Sequence, residues 1–219
     1  RWLEDCLQRI GKVAPGSMLA PIYGPEWSYR HRARLSVRYV EKKGGALVGF
    51  RERRSTFVTD IQGCIVLPPH VSALIPGLRE LIGKLSVPDR MPQVEVAVGD
   101  EAVVLVFRHL LPLNDRDHAL LREFADANSV QVWLQPRGPD SAALLHPDPA
   151  PELFYSLPEF GLRIAFRPTD FTQVNHAVNR LLVSRTVRLL DPQPGERIGD
   201  LFCGVGNFTL PIATRGAQV

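Results

Sequence analysis

Apolar and polar positions alternate over residues 33–40: Leu35, Val37 and Tyr39 fall on one side, Arg34, Ser36 and Arg38 on the other. A period of two is that of a half-buried strand. Gly44-Gly45 supplies a turn and 46–51 a return strand, which predicts a hairpin with its arginines on the solvent face and 56–61 as a third strand. The period changes over 72–85, where Leu74, Leu78, Leu81, Ile82 and Leu85 recur as on one face of a helix. Residues 93–98 and 102–108 predict a second hairpin turning at Gly99-Asp100. Asn114 or Asp115 then caps a helix running to about Ala127, and 130–134 is another strand. The run 136–151 is dense in proline and reads as a loop, and 153–156 with 162–166 make a closing hairpin. Ahead of all this, Trp2, Leu3, Cys6, Leu7 and Ile10 mark one face of a helix over 1–12, followed by a Pro/Gly linker. The segment 26–166 is therefore expected to be an α+β domain with a mostly antiparallel sheet.

After Arg167-Pro168 the pattern changes again. Val174, Ala177, Val178, Leu181, Leu182 and Leu189 predict a long helix to about Leu190, which Asp191-Pro192-Gln193-Pro194-Gly195 ends. The apolar run 197–202 reads as a strand, followed by Gly-x-Gly and a new helix. The expected organisation is a helix and linker over 1–25, the α+β domain over 26–166, and over 167–219 the opening helix-strand-helix of a Rossmann-like α/β domain. Gly204 and Gly206 permit a tight, side-chain-poor turn at the carboxyl end of a first strand, where open α/β sheets bind adenosine-type ligands. A dinucleotide fingerprint has a third glycine where Thr209 stands, so a ligand without phosphates is favoured. S-adenosylmethionine, a sulfonium nucleoside, fits, with Asp200 opposing its positive charge. One strand and one helix do not complete such a domain, so the chain reads as an enzyme cut off just after its cofactor loop. A strand at 197–202 without neighbours predicts disorder beyond about 195 or self-association through its free edges.

Composition narrows the class. Hydrophobic residues are 45% and charged residues 22% of the 219, an ordinary globular balance. No stretch approaches the length of a membrane span. Cys6, Cys64 and Cys203 are odd in number and far apart, as reduced thiols of a cytoplasmic protein are. The net charge of +3 hides a concentration of nine Lys/Arg against two Glu between Ser28 and Arg54. A basic segment in a near-neutral chain is either a solvated hairpin face or the footprint of a polyanion.

The stretch Asp200-Leu-Phe-Cys-Gly-Val-Gly-Asn-Phe-Thr-Leu-Pro211 resembles the cofactor loop of the RNA uracil-5-methyltransferases. Phe171-Thr-Gln-Val-Asn175 resembles the family's second signature. Tyr29-Arg-His-Arg-Ala-Arg-Leu-Ser36 and Asp60-Ile-Gln-Gly-Cys64 are similar to its bacterial branch, which modifies 23S ribosomal RNA and carries an iron–sulfur cluster. The resemblance implies transfer of a methyl group from S-adenosylmethionine to carbon 5 of a uridine in 23S rRNA. It implies that Gln173, Phe202 and Asn207 contact the cofactor, and that helix 1–12 packs on the 167–219 segment. A helix N-cap is the structural alternative for Gln173. Cys64 matches the fourth ligand of the 4Fe–4S cluster, but the other three thiolates have no counterpart in the sequence, so no cluster is expected on this chain. The family's nucleophilic cysteine and final base match no residue here, so no catalytic residue is assigned and the fragment itself is expected to be inactive.

With that resemblance the basic segment is expected to face RNA through Arg30, Arg32 and Arg34, with Arg38 and Arg51 nearby and Tyr29 and Trp27 as stacking surface. Two rival readings remain: a non-catalytic RNA-binding module with a vestigial glycine loop, and a nicotinamide-dependent oxidoreductase, which the missing third glycine disfavours.

Overall fold

The computed structural model describes residues 2–219. Its centre is a seven-stranded sheet in the order β3-β2-β1-β4-β5-β6-β7. The strands are β1 (Arg32–Val40), β2 (Gly45–Arg51), β3 (Val58–Asp60), β4 (Gln93–Val98), β5 (Val103–Arg108), β6 (Gln131–Gln135) and β7 (Ala143–His146). Five of the six pairings are antiparallel, and β5–β6 is parallel because helix α4 (Asp115–Asn128) crosses between them. Gly49 is dictated by geometry: a Cβ there would sit 1.9 Å from the Thr59 carbonyl oxygen.

One face of the sheet carries the larger core. Leu35, Val37, Val48, Val94, Val96, Leu105 and Phe107 pack against Ile75, Leu78 and Ile82 of α3 (Leu74–Lys84) and Leu121 of α4. A short α2 (Pro69–Ser72) leads into α3. Helix α4 begins with a reciprocal cap: the Asn114 side chain accepts from the Asp117 N–H, and the Asp117 carboxylate accepts from the Asn114 N–H. Burial raises the pKa of Asp117, but hydrogen bonds from the Ser86 hydroxyl and amide and from Asn114 hold it below the ordinary carboxylate value.

The opposite face is covered only in part. Ala97, Val104 and Val106 pack there against a separate hairpin of β8 (Phe154–Leu157) and β9 (Leu162–Ala165), against Val183 and Val187 of α5 (His176–Leu190), and against Ile212 of α6 (Thr209–Ala213). This second core draws residues from both sides of position 166.

Four expectations need correction. The predicted strand 197–202 is a single parallel bridge, Arg197 to Gln218, with the Ile198 N–H donating to the Gln218 carbonyl. A buried parallel strand needs partners on both flanks, and here one residue pair is the whole ladder. The proline-rich run 136–151 contains β7, an edge strand too short to show a period. Tyr39 is 37% exposed rather than inward, because Gly45 beside its ring offers no side chain to pack on. The first helix, α1 (Trp2–Arg9), stops short of residue 12 and buries no residue. The linker after it reaches α5 instead: Arg185 Nη1 donates to the Ala20 carbonyl (2.6 Å), and Gly24 lies against Val178.

Candidate functional site

Helix α5 starts at a defined cap. The Asn175 side chain accepts from the Val178 N–H at 3.0 Å, which satisfies one of the free donors of the first turn. Asn175 therefore does the capping, and Gln173 does not. Gln173 is half-buried, and its side-chain amide has no hydrogen-bond partner among the described residues. It lines a cavity of about 100 Å³ together with Phe171, Phe202, Gly204, Asn207 and Tyr155.

The glycine turn forms the other wall. Gly204 and Gly206 have φ of 57° and 85°, the left-handed region that glycine occupies without a steric penalty. A Cβ on Gly206 would approach Leu210 to 3.0 Å, whereas one on Gly204 would meet nothing within 4 Å, so its backbone faces open space. Phe202 also has positive φ, 62°, and its side chain is fully exposed beside the cavity. A bulky residue held in that region is strained, and such strain concentrates at functional sites. Asp200 Oδ2 accepts from the Thr209 hydroxyl at 2.6 Å, which ties the entry of the turn to its exit.

Asn207 anchors the turn to the rest of the molecule. Its Oδ1 accepts from the Tyr155 hydroxyl (2.9 Å) and from Asn179 Nδ2 (2.8 Å), and its Nδ2 donates to Asn179 Oδ1 (2.9 Å). Burial pushes the Tyr155 phenol up to about 12, so it stays a donor. Beside Tyr155, at 5.4 Å between ring centroids, lies His176, stacked on His31 at 4.0 Å. His176 is buried, and neither ring nitrogen has a hydrogen-bond partner. Burial chiefly, and His31 next, push its pKa down to about 4. Tyr155, Asn179 and His176 escaped the sequence reading. None of them left a trace, because α5 buries the side carrying His176, Asn179, Val183 and Val187 rather than its leucine-rich side.

The expected RNA-facing arginines differ in burial and partners. Arg30, Arg32 and Arg34 do line one groove, about 340 Å³, with Glu95, Asp170 and Phe171. Within it Arg32 donates from Nη2 to the Pro168 carbonyl (2.6 Å), and burial lowers its pKa. Arg34 remains 69% exposed and pairs with Glu95 at 3.1 Å. Phe171 is exposed and lines both this groove and the glycine-turn cavity, so the two adjoin.

Cys64 lies elsewhere, partly buried in a cavity of about 540 Å³ with Trp27 and Ile65, its N–H donating to Ser72 Oγ. Among the described residues no three His, Cys, Asp or Glu converge as metal ligands. One thiolate does not fit a four-iron cluster, which requires four.

The sheet domain is thus joined through α5 and Asn207 to the glycine turn. The chain is similar in fold to the Pyrococcus abyssi tRNA (uracil-54, C5)-methyltransferase solved with S-adenosyl-L-homocysteine. The TM-score is 0.62 at 20% identity, over 87% of this chain and 47% of that one. In sequence it is similar along its whole length to proteins named 23S rRNA (uracil(1939)-C(5))-methyltransferase RlmD. It is 65% identical over 219 residues to that of Thiobacillus denitrificans and 61% over 218 residues to that of Bordetella parapertussis. The chain spans about half the length of these relatives, 51% and 47%. No family model matches it. The resemblance carried by the motifs at 29–36, 60–64, 171–175 and 200–211 thus extends from one end of the chain to the other.

Proposed function

We propose that this chain is part of a cytoplasmic 23S rRNA uracil-C5-methyltransferase, with residues 26–166 as its central domain and 167–219 as the opening of its methyl-donor domain. Within 1–25, the linker reaches α5 at Ala20 and Gly24. One observation carries the reading: the unpartnered amide of Gln173 shares a cavity with the open backbone of Gly204. A small ligand with a polar tail fits between them.

S-adenosylmethionine, when bound, supplies a methyl group activated by its sulfonium. Gln173 hydrogen-bonds the methionine end. The exposed ring of Phe202 supplies a face for the adenosine, and the Gly204 backbone allows close approach. Asp200, already fixed by Thr209, adds negative potential toward the cation. Asn207 spends its side chain on Tyr155 and Asn179, so it shapes the turn and offers the ligand its backbone. Neither the nucleophile that adds to uracil carbon 6 nor the base that removes the carbon 5 proton is assigned to this chain, and by itself it transfers no methyl group. The cavity is small beside the ~300–1,000 Å³ of ordinary ligand sites.

Calorimetry of the full-length protein carrying this chain tests the reading. S-adenosylhomocysteine binds and NAD does not, and Gln173→Ala weakens binding by about 2- to 12-fold, the equivalent of one hydrogen bond. RNA affinity without any affinity for S-adenosylhomocysteine would instead make the protein a non-catalytic RNA-binding module.

A further inference from the structure

We infer that Thr172 joins Gln173 in holding the α-amino-acid end of the methyl donor, its hydroxyl donating a hydrogen bond to the ligand's carboxylate. The contact rests on the methyl-donor reading above and adds to it a residue that reading leaves unused.

Thr172 sits in a stretch without regular secondary structure that is nevertheless pinned on both sides. Before it, the Pro168 carbonyl accepts from Arg32 Nη2. After it, the Val174 carbonyl accepts from the His31 N–H at 2.8 Å, Asn175 bridges to Arg30, and the Asn175 side chain caps α5. The Thr172 side chain is thus presented by a fixed backbone, and a β-branched residue has few rotamers to choose from. It is 3% exposed, and its Oγ1 has no hydrogen-bond partner among the described residues. It lines the same cavity of about 100 Å³ as Gln173, whose amide is also unpartnered. Native proteins pair about nine-tenths or more of their buried polar atoms, so an orphaned hydroxyl in a cavity wall marks a place that a ligand completes. His176 is unpartnered as well, but its ring faces meet His31 and Tyr155 and it does not line the cavity, so no ligand contact is assigned to it.

The lining sets the class of ligand. Among the described residues no Lys, Arg, Asp or Glu borders this cavity. A phosphate would call for arginine or lysine, whereas an amino-acid end carries a carboxylate and an ammonium that cancel. Once taken out of water, such an end needs each of its charges hydrogen-bonded. Tyr155 and Asn207 are spent on each other and on Asn179, which leaves the Gln173 amide with one carbonyl and one NH2 group. In the arrangement inferred here the Gln173 carbonyl accepts from the ammonium, while its NH2 group and the Thr172 hydroxyl both donate to the carboxylate.

The test is calorimetry of the full-length protein carrying this chain, with two ligands. S-adenosylhomocysteine has the amino-acid end; 5′-methylthioadenosine is the same nucleoside thioether without it. Thr172→Val keeps the shape of the side chain and removes the hydroxyl. It weakens S-adenosylhomocysteine binding about 10-fold or more, the size of a hydrogen bond to a charged group, and leaves 5′-methylthioadenosine within about 2-fold. Thr172→Ser restores the loss. Because the hydroxyl has no partner within the protein, the urea midpoint of Thr172→Val without ligand stays where it was or rises. A hydroxyl that serves only the fold gives the opposite pattern, a lower midpoint with both ligands weakened alike. That pattern, or unchanged affinity of Thr172→Val for S-adenosylhomocysteine, overturns the contact. Equal affinity of the unaltered protein for the two ligands also overturns it, and leaves the nucleoside part of the methyl-donor reading standing. No affinity of the unaltered protein for either ligand overturns that reading and the contact with it.

Discussion

Replacing Asn179 with alanine severs two of the three hydrogen bonds that hold Asn207, at 2.8 and 2.9 Å. Asn179 is 3% exposed, so water does not readily replace it. Asn207 Oδ1 keeps the Tyr155 hydroxyl, but its Nδ2 is left without an acceptor. An orphaned, partly buried amide costs about 1–3 kcal/mol. Tyr155→Phe removes a single donor and leaves Asn207 Oδ1 with Asn179, a loss of about 0.5–1.5 kcal/mol. The expected order is therefore Asn179→Ala worse than Tyr155→Phe, with a double variant less destabilised than the sum because both changes act on one amide. Urea denaturation of the wild type and the three variants measures this directly. The same variants should weaken S-adenosylhomocysteine binding, because the turn that Asn207 anchors is a wall of the proposed site. If Asn179→Ala unfolds within about 0.5 kcal/mol of the wild type, the scale of a neutral surface substitution, the anchoring argument is wrong.

Other predictions follow from the same neighbourhood. His176 is held neutral in the fold with a pKa of about 4 against an ordinary 6.5. The unfolded chain therefore takes up a proton that the folded chain refuses, and stability is full above about pH 6.5 and falls as pH drops toward about 4. The loss is about 3 kcal/mol at ~1.4 kcal/mol per pKa unit. His31, Asp100, Arg180 and the Tyr155 ring face it, and His176→Phe should flatten that part of the pH–stability curve in denaturant titrations; an unchanged curve would assign it to another group. Gly204→Asn retains a residue that tolerates positive φ and has space around its Cβ, so the melting temperature should hardly move. S-adenosylhomocysteine affinity should fall, since the new side chain enters the space the ligand needs. Unaltered affinity in calorimetry would remove Gly204 from the site.

The parts of this fold legible in the sequence are those where a period runs long enough to count. β1 with β2, α3 and the β4–β5 hairpin each present several buried positions at one spacing, and each lies close to where that spacing puts it; α5 lies there too, but Leu181, Leu182 and Leu189 are exposed and His176, Asn179, Val183 and Val187 form its buried side. A cap for α4 at Asn114 or Asp115 was legible from residue type alone; the reciprocal bond with Asp117 required the structure. What failed depends on contacts between distant positions. β7 is a strand because Leu134, Trp133 and Val132 give it partners, and 197–202 is not one because only Gln218 does. At the proposed site, Gly204 stood out through turn chemistry, and Gln173 and Phe202 through the family resemblance of their motifs. Tyr155 and Asn179 did not, because their roles exist only once residues 52 and 28 positions away fold onto them. The arginines show the same limit: the charge count located a basic segment, but register and the Pro168 and Glu95 contacts decide which members are free.

The glycine turn and the arginine face are held in fixed relation by the sheet between them. Val104 and Val106 of β5 pack in one core with Tyr155 and Leu157 of β8 and Val183 and Val187 of α5. Asn207 is hydrogen-bonded to that Tyr155 and to Asn179 of that helix, while Arg34 lies in register with Val106 on the same face. Arg180 reinforces the junction by donating to the Ser156 carbonyl and pairing with Asp100, and Gly99 permits it, since a Cβ there would lie 2.6 Å from the Phe154 carbonyl oxygen. Close-packed interiors do not deform gradually, so the glycine turn and the Arg34 groove are held at a set distance from each other. On the proposed reading Phe171, which borders both the Arg34 groove and the glycine-turn cavity, would lie between a flipped base and the methyl donor.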